Sequence, residues 1–541
     1  MLTTGDVRRW FRNTGPLVGF WLAVSAYYAF VVTAGHFTRW HVWSAFYDTH
    51  ADALLHGQLH LLEPPSPALL ALKDPYDIAN MPYWRWDHSL YNGHLYHYWG
   101  IVPAFLVAGI RLLFRAGGPA DNVLTFAFFV ARLVAGTLLI RDVARRTTPR
   151  PPRWAVAAAM LVFALANPTP YTLARSAIYE AAIMSGVAFM TAGFYCGYRS
   201  MHAASGRAAT AWLAAASLGF GLAAGCRLNL MPTAVALAVV ATLWRWWQIR
   251  SQGPRRLGRL AAPARSAGVR PPEQTAVAHR ACGAGRLVAT GVAGLVPAGA
   301  VMLGLLVINK LRFDDWTEFG RDYVMTYPLF VPGLRFLIPD TYAYAFAPPQ
   351  WSCTFPYLSL AWNAIRPLTP AWLPVTWPAD HSTSEPTLGL LTIAPFFWFA
   401  MLAPLIAIGR ARLMLAAEPA RSGRWATLLA TPRNWLWLAL AIYVLGSVLL
   451  LILNFTTMRY EHDFATGLLL IAIFASWRVL AAPLSPATRR AIAWLYGLLA
   501  VSTIVAGLLL GFTGYFKHFE RHNPALLRTL QKDLSVCRLT R

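Results

Sequence analysis

The residues best suited to chemistry gather in one polar stretch, residues 36–100. It contains SAFYDTHADALLHGQLHL and then KDPYDIANMPYWRWDHSLYNGHLYHYWG, so Asp48, Asp52, Asp74, Asp77 and Asp87 stand among histidines, tyrosines and tryptophans. Carboxylates and imidazoles beside aromatic rings suit proton transfer and sugar binding. Asp48 and Asp52 are four residues apart, so a helix over 47–59 puts both carboxylates on one face, with Leu55 and His56 a turn further on. An acid in a cleft with an apolar back wall can have its pKa tuned to take a proton from an acceptor hydroxyl. The plainer reading of either is a solvated surface acid or a helix cap. Asp87 and His88 precede an Asn92-Gly93 turn flanked by tyrosines, Tyr91 among them. That grouping fits a sugar site, and an aromatic belt at the lipid headgroups predicts the same enrichment.

A second set of polar residues falls at the ends of apolar runs. Glu180, in ARSAIYEAAIMSG, sits about one turn inside a span with Arg175 just before it, as an ion pair or a substrate contact. Arg132 lies halfway through a span and must face the bundle interior. Arg227 with Asn229, and Arg459, Tyr460, Glu461 and Asp463 in TMRYEHDF, sit at membrane boundaries. There a guanidinium fork matches the oxygens of a lipid-linked phosphate while the acyl chain stays in lipid. Snorkelling to the interface is the alternative for any boundary arginine. Arg459 has the richer polar setting.

The elements that position these residues follow from composition. The 541 residues are 57% hydrophobic and 13% charged, with a mean hydropathy of +0.44, which fits an all-α polytopic membrane protein rather than soluble domains. The net charge of +24 is spread as arginine clusters between apolar runs. This is the positive-inside pattern of a bacterial inner-membrane protein, with membrane lipids and not nucleic acid as its surroundings. Apolar runs at 15–35, 121–140, 154–170, 177–197, 209–225, 228–248, 287–308, 387–409, 435–453, 462–480 and 491–512 predict about eleven transmembrane helices. The segment 101–114 is short and carries Arg111. If it crossed, the basic loops at 141–153, 245–286 and 410–433 would lie outside, so it is laid along the outer interface.

The resulting order is a cytoplasmic amino end (1–14), a first span (15–35), and a long outer loop with juxtamembrane helices (36–120). Spans two to seven follow (121–308, with a flexible basic cytoplasmic loop at 249–286), then a second long outer loop (309–386), four more spans (387–512) and an outer tail (513–541). Arg8, Arg9 and Arg12 precede a full-length span with no small-residue cleavage motif after it, so the first span is expected to be a retained anchor. The second loop, with NKLRFDDWTEFGRDY and FLIPDTYAYAFAPPQWSCTFPY, reads as a lid or acceptor-binding loop. Its Asp314, Asp315, Glu318 and Asp322 could hold a divalent metal, although their spacing matches no calcium loop. No other cofactor is indicated: Walker, G-x-S-x-G and H-E-x-x-H motifs are absent. The five cysteines have no metal-ligand spacing, and Cys353 and Cys537 both fall outside and could pair.

A transporter would show two similar halves, and a channel a polar stripe on several spans. Here polarity collects on one side, which favours an enzyme working at the outer face on a substrate whose tail stays in the bilayer. A flippase of a lipid-linked saccharide and a non-catalytic subunit of an envelope assembly complex are the alternatives.

The layout resembles GT-C-type integral membrane glycosyltransferases. In residues it is similar to a bacterial branch of membrane glycosyltransferases through ADALLHGQLHL, DPYD, DHSLYNGHLYHYWG, IYEAAIMSG, NKLRFDDWTEFG and MRYEHD. That branch distantly resembles the dolichyl-phosphate-mannose and aminoarabinose transferases. Those carry an Asp-Glu pair after the first span, followed three residues later by Tyr. With Tyr47 as that Tyr, Trp43 and Ser44 occupy the acid positions and the pair is absent. The resemblance implies a polyprenyl-phosphate sugar donor, a glycan, lipid or protein acceptor, and inversion at the anomeric carbon. Asp48, Asp52 or Asp87 would then be the base, and Arg459 or Arg227 would meet the leaving phosphate.

Overall fold

The computed structural model describes residues 4–266, 273–326, 331–361, 366–373, 375–383, 385–406, 431–514 and 517–537. In chain order the helices are α1 (Thr4–Val32), α2 (Phe46–Leu55), α3 (Pro67–Leu70), α4 (Val102–Phe114), α5 (Asp121–Arg146), α6 (Arg153–Leu165) and α7 (Thr169–Ala174). They continue as α8 (Ile178–His202), α9 (Gly206–Cys226), α10 (Met231–Ser266), α11 (Glu273–Phe313), α12 (Leu337–Phe346) and α13 (Leu390–Ile393). The last are α14 (Pro432–Gly446), α15 (His462–Leu480), α16 (Pro486–Thr513), α17 (His518–His522) and α18 (Pro524–Leu534). Strands among the described residues form three two-stranded ribbons: β1 (His88–Tyr91) with β2 (His94–His97), β3 (Gln350–Trp351) with β4 (Leu358–Ser359), and β5 (Ser382–Thr383) with β6 (Phe455–Thr456).

The chain is an all-α polytopic membrane protein. Among the described residues nine helices are long and apolar enough to cross a membrane, and each coincides with an expected span. The other two expected spans fall on shorter pieces. The run at 154–170 forms α6, Asn167-Pro168, and α7; the described part of the run at 387–409 forms α13 and the apolar helix Pro395–Ile406, and 407–409 lie outside the described residues. Proline is the local cause, because Pro168, Pro170 and Pro395 lack the N–H that a continuous helix needs. α6 lies along α16: Ala155 O accepts from Tyr496 Oη at 2.7 Å, and Leu165 O lies against Gly507. The stretch 250–286, expected as a flexible loop, is instead helical on both flanks of 267–272, which lie outside the described residues. Alanine and arginine are good helix formers even without an apolar face.

Trp435, Tyr443 and Trp477 are fully buried inside the bundle. Gly197 admits the Trp435 ring, since an added Cβ would collide with it. In lipid such close approach gains dispersion contacts rather than hydrophobic burial.

The loop face is held by cross-links from the spans. Asp121, at the start of α5, caps α2: its Oδ2 accepts from Ser44 Oγ (2.5 Å) and Phe46 N (2.9 Å), and its Oδ1 from Tyr47 N (3.2 Å). α4 has 13 residues, about 20 Å by helical rise, shorter than the roughly 30 Å hydrocarbon core of a bilayer. Asn92 and Gly93 both have positive φ (47° and 73°), giving the two-residue turn between β1 and β2. The second loop adds its backbone to this hairpin: Leu90 N donates to Tyr323 O (2.9 Å), Met325 N to His88 O (2.9 Å), and Asp87 N to Met325 O (3.1 Å). Cys353 and Cys537, which their shared outer side left free to pair, form a disulfide with Cα atoms 5.4 Å apart, and it fastens the tail carrying α18 to the second loop. Phe355 N also donates to Ser535 Oγ (3.0 Å), and Val536 N to Cys353 O (2.9 Å).

Candidate active site on the loop face

Asp87 closes the turn before β1 in the left-handed region, φ 58°. Its carboxylate accepts from the Tyr179 hydroxyl and, at 3.5 Å, from Thr326 Oγ1. Tyr179 stands in the first turn of α8, so a span, the first loop and the second loop meet at one carboxylate. Burial pushes the Asp87 carboxyl above the usual carboxylate range, while the Tyr179 hydrogen bond, the Arg459 charge and Thr326 draw it back.

The Arg459 guanidinium lies 4.0 Å over the Tyr179 ring. Its terminal nitrogen is 2.5 Å from Glu385 and 3.8 Å from Glu180. Glu180 is buried and also accepts from Ala177 N (2.9 Å), so it caps α8 and faces the arginine at once. Glu180 thus faces Arg459, and the Arg175 guanidinium lies 5.4 Å over the Trp43 ring. Glu385 Oε2 accepts from Thr457 Oγ1 at 2.6 Å.

Arg227 is engaged differently. Its Nε is 2.7 Å and its terminal nitrogen 2.6 Å from the Asp463 carboxylate, and Asn229 Nδ2 donates to the same group at 2.9 Å. Its guanidinium lies 4.9 Å over Tyr460, so Tyr460 and Arg227 brace the turn that presents Arg459. Arg132 faces the interior as expected, with Nε 3.2 Å from Thr466 Oγ1 and its guanidinium 4.5 Å over Phe163.

Asp48 and Asp52 do share one face of α2, and Arg111 of α4 bridges them at 3.2 and 2.8 Å. They join the two juxtamembrane helices, whereas Asp87 joins the groups around Arg459. His88 is buried on β1 with Nδ1 2.7 Å from Trp86 O, and its ring packs against Phe46 (4.9 Å) and His97 (4.7 Å). Burial pushes its pKa down to about 4 and that of His50 down to about 3, so these rings are neutral. The Tyr91 ring packs 4.6 Å from Tyr323, and Asn92 forms the turn, so both shape the hairpin.

Among the described residues no group of three or more His, Cys, Asp or Glu side chains is arranged to hold a metal ion. Of the acids expected to do so, Asp315 accepts from Thr317 N (2.6 Å) and Oγ1 (2.8 Å), and Glu318 from Asp322 N (3.3 Å). Asp314 stands 3.9 Å from Lys310.

Sequence reasoning missed Tyr179, Glu385, Thr326 and Thr457. Tyr179 was visible within IYEAAIMSG beside Glu180, at the helix end where polar and aromatic residues meet. The other three have no local signal.

Residues 109–262, from α4 into α10 and including Tyr179, Glu180 and Arg227, match the family model described as dolichyl-phosphate-mannose-protein mannosyltransferase. The resemblance to GT-C-type membrane glycosyltransferases is borne out over that stretch. No curated protein matches the chain. Among solved structures, the Archaeoglobus fulgidus oligosaccharyltransferase tethered to an acceptor peptide containing the NVT sequon aligns at 14% identity and TM-score 0.44, over 98% of this chain and 60% of that one. The oligosaccharyltransferase AglB from Archaeoglobus fulgidus, in complex with an inhibitory peptide and a dolichol-phosphate, aligns at 13% identity and TM-score 0.42, over 98% and 62%. The chain thus spans about 60% of the length of these structures.

Proposed function

We propose that the chain is a membrane glycosyltransferase that moves a sugar from a polyprenyl-phosphate donor to a glycan, lipid or protein acceptor at the outer face of a bacterial inner membrane. The observation that carries this reading is the meeting of Asp87, Tyr179 and Arg459, a half-buried carboxylate and a held guanidinium joined through one tyrosine. The apolar spans beneath them leave room in lipid for the donor's tail.

In this reading Asp87 accepts the proton of an acceptor hydroxyl. The oxygen attacks the anomeric carbon opposite the phosphate, and the carbon–oxygen bond to the phosphate breaks with its electron pair. Polyprenyl phosphate leaves with inversion, its growing charge met by Arg459. A raised carboxyl pKa strengthens Asp87 as a base. Glu385 and Glu180 hold the guanidinium in place, and Arg227, occupied by Asp463, supports the turn. Asp48 and Asp52 serve the α2–α4 joint.

The test is transfer of labelled sugar from a panel of polyprenyl-phosphate donors by the purified full chain. Asp87→Asn and Arg459→Gln are each expected to lose about a hundredfold or more, the scale of a lost base or charge partner. Asp48→Asn and Asp52→Asn should stay within about tenfold of wild type. Full activity in Asp87→Asn would overturn the base assignment. Wild type that binds donors yet turns over none would favour the flippase or assembly-subunit reading.

A further inference from the structure

A buried acid–imidazole pair lies outside the groups assigned so far. His381 Nε2 and Asp340 Oδ1 are 2.9 Å apart, and both side chains are sealed from solvent. The second oxygen of Asp340 and Nδ1 of His381 make no further hydrogen bond among the described residues. Sealing both groups away carries a desolvation cost that an apolar pair of similar volume would avoid. What the polar pair adds is direction: one bond between two fixed atoms.

The elements on either side show what that direction controls. Asp340 belongs to α12, and His381 immediately precedes β5. β5 runs parallel to β6, with Ser382 opposite Phe455 and Thr383 opposite Thr456, and Ser382 N donates to Asn454 O at 2.9 Å. Just beyond β5 comes Glu385; just beyond β6 come Thr457 and Arg459. Beyond the ribbon Glu385 is tied to the other segment by Thr457 Oγ1 (2.6 Å) and Arg459 (2.5 Å). Asp340 and Tyr344 are four residues apart on α12 and share a face. The Tyr344 hydroxyl accepts from Thr457 N at 3.3 Å. α12 therefore grips both segments, one through Asp340 and His381, the other through Tyr344 and Thr457.

We infer that Asp340 and His381 are positioning residues: by fixing β5 to α12 they set where Glu385 holds the Arg459 guanidinium, and through it the affinity of the site for a lipid-linked phosphate. This rests on the reading of Arg459 proposed above. Neither residue touches substrate.

The experiment is binding of a polyprenyl phosphate to the full chain in nanodiscs. It compares wild type, Asp340→Leu, Asp340→Asn, Arg459→Gln and the double variant Asp340→Leu/Arg459→Gln. Asp340→Leu should weaken binding about tenfold, and Asp340→Asn, which keeps an acceptor for His381, by no more than about threefold. In the Arg459→Gln background Asp340→Leu should add nothing, because both act through one group. A merely structural role would give additive losses and no rescue by asparagine, and would overturn the inference. Unchanged binding in Asp340→Leu, with loss in Arg459→Gln, would overturn it alone. Unchanged binding in Arg459→Gln would overturn the phosphate reading and this inference with it. If Asp340→Leu does not accumulate, His381→Phe fills the space without the bond and carries the same expectations.

Discussion

Asp87 holds a backbone conformation that costs most side chains on the order of 1 kcal/mol or more, and that Asp and Asn tolerate better than others. Asp87→Asn therefore removes the charge without disturbing the turn. The carboxylate must be ionised to accept a proton, so kcat/KM should fall as pH drops through its pKa, which burial places above the usual range. The Tyr179 hydroxyl favours the ionised form; Tyr179→Phe removes that help, so the acid limb should move to higher pH, and a pH–rate profile reads it directly. An unmoved limb would mean that Asp87 does not set it. Asp48 and Asp52 should behave otherwise. Their pair with Arg111 is partly exposed, so Arg111→Ala should cost no more than about 1 kcal/mol of stability, measured by thermal unfolding. The sequence offered three acids as candidate bases, and its placing of Asp48 and Asp52 on one helical face is what the structure shows. It did not separate them from Asp87, because the deciding partners are distant: Arg111 is 63 residues from Asp48, and Tyr179 is 92 from Asp87. Glu385 left no trace in a stretch without periodicity.

At the scale of elements, what holds Asp87 is a backbone pairing between two loops. The Asn92-Gly93 turn was legible because that dipeptide suits positive φ at both positions. The backbone pairing supplied by Tyr323 and Met325 was not, since pairing between segments more than 230 residues apart has no local signature. Likewise α6 and α7 were read as one span because their apolar composition is continuous, while prolines divide the backbone. Gly93→Val would force a β-branched residue into φ 73° and should destabilise the hairpin by about 1–2 kcal/mol. In amide hydrogen exchange this should appear as faster exchange at Leu90 and Met325, with protection of α8 and α15 unchanged and catalysis reduced. Equal loosening of α8 would show that the hairpin and bundle unfold as one unit.

Across the whole molecule, the loops and tail are fastened to one end of the bundle. The disulfide closes a separation of 184 residues, but the intervening spans already restrain that chain. Reduction should therefore leave the bundle folded and only free the tail. In a Cys353→Ser variant, limited proteolysis should cut near α18 sooner while thermal unfolding of the spans is little changed. The same anchoring bears on how many times the chain is expected to cross. α5 begins at Asp121, bonded to Ser44, and α8 begins beside Asp87, so both start at the first loop and α6 with α7 must carry the chain back between them. α6 runs parallel to α16, from Tyr496 toward Gly507, and Thr513 at the end of α16 reaches Leu358 of the second loop at 2.5 Å. The helix Pro395–Ile406 runs the other way, with Phe396 N on Thr503 Oγ1 (3.0 Å) and Phe399 5.7 Å from Tyr496. If these two cross as well as the nine longer helices of the described residues, eleven crossings are expected, with the two chain ends on opposite faces as the arginine clusters predict. Single cysteines placed at Arg150 and at Asn92 should accordingly react with a membrane-impermeant thiol reagent from opposite faces, with Gln531→Cys on the side of Asn92. Labelling of Arg150→Cys from the same face as Asn92→Cys would mean that α5 does not cross, and would overturn the topology together with an outward-facing Asp87.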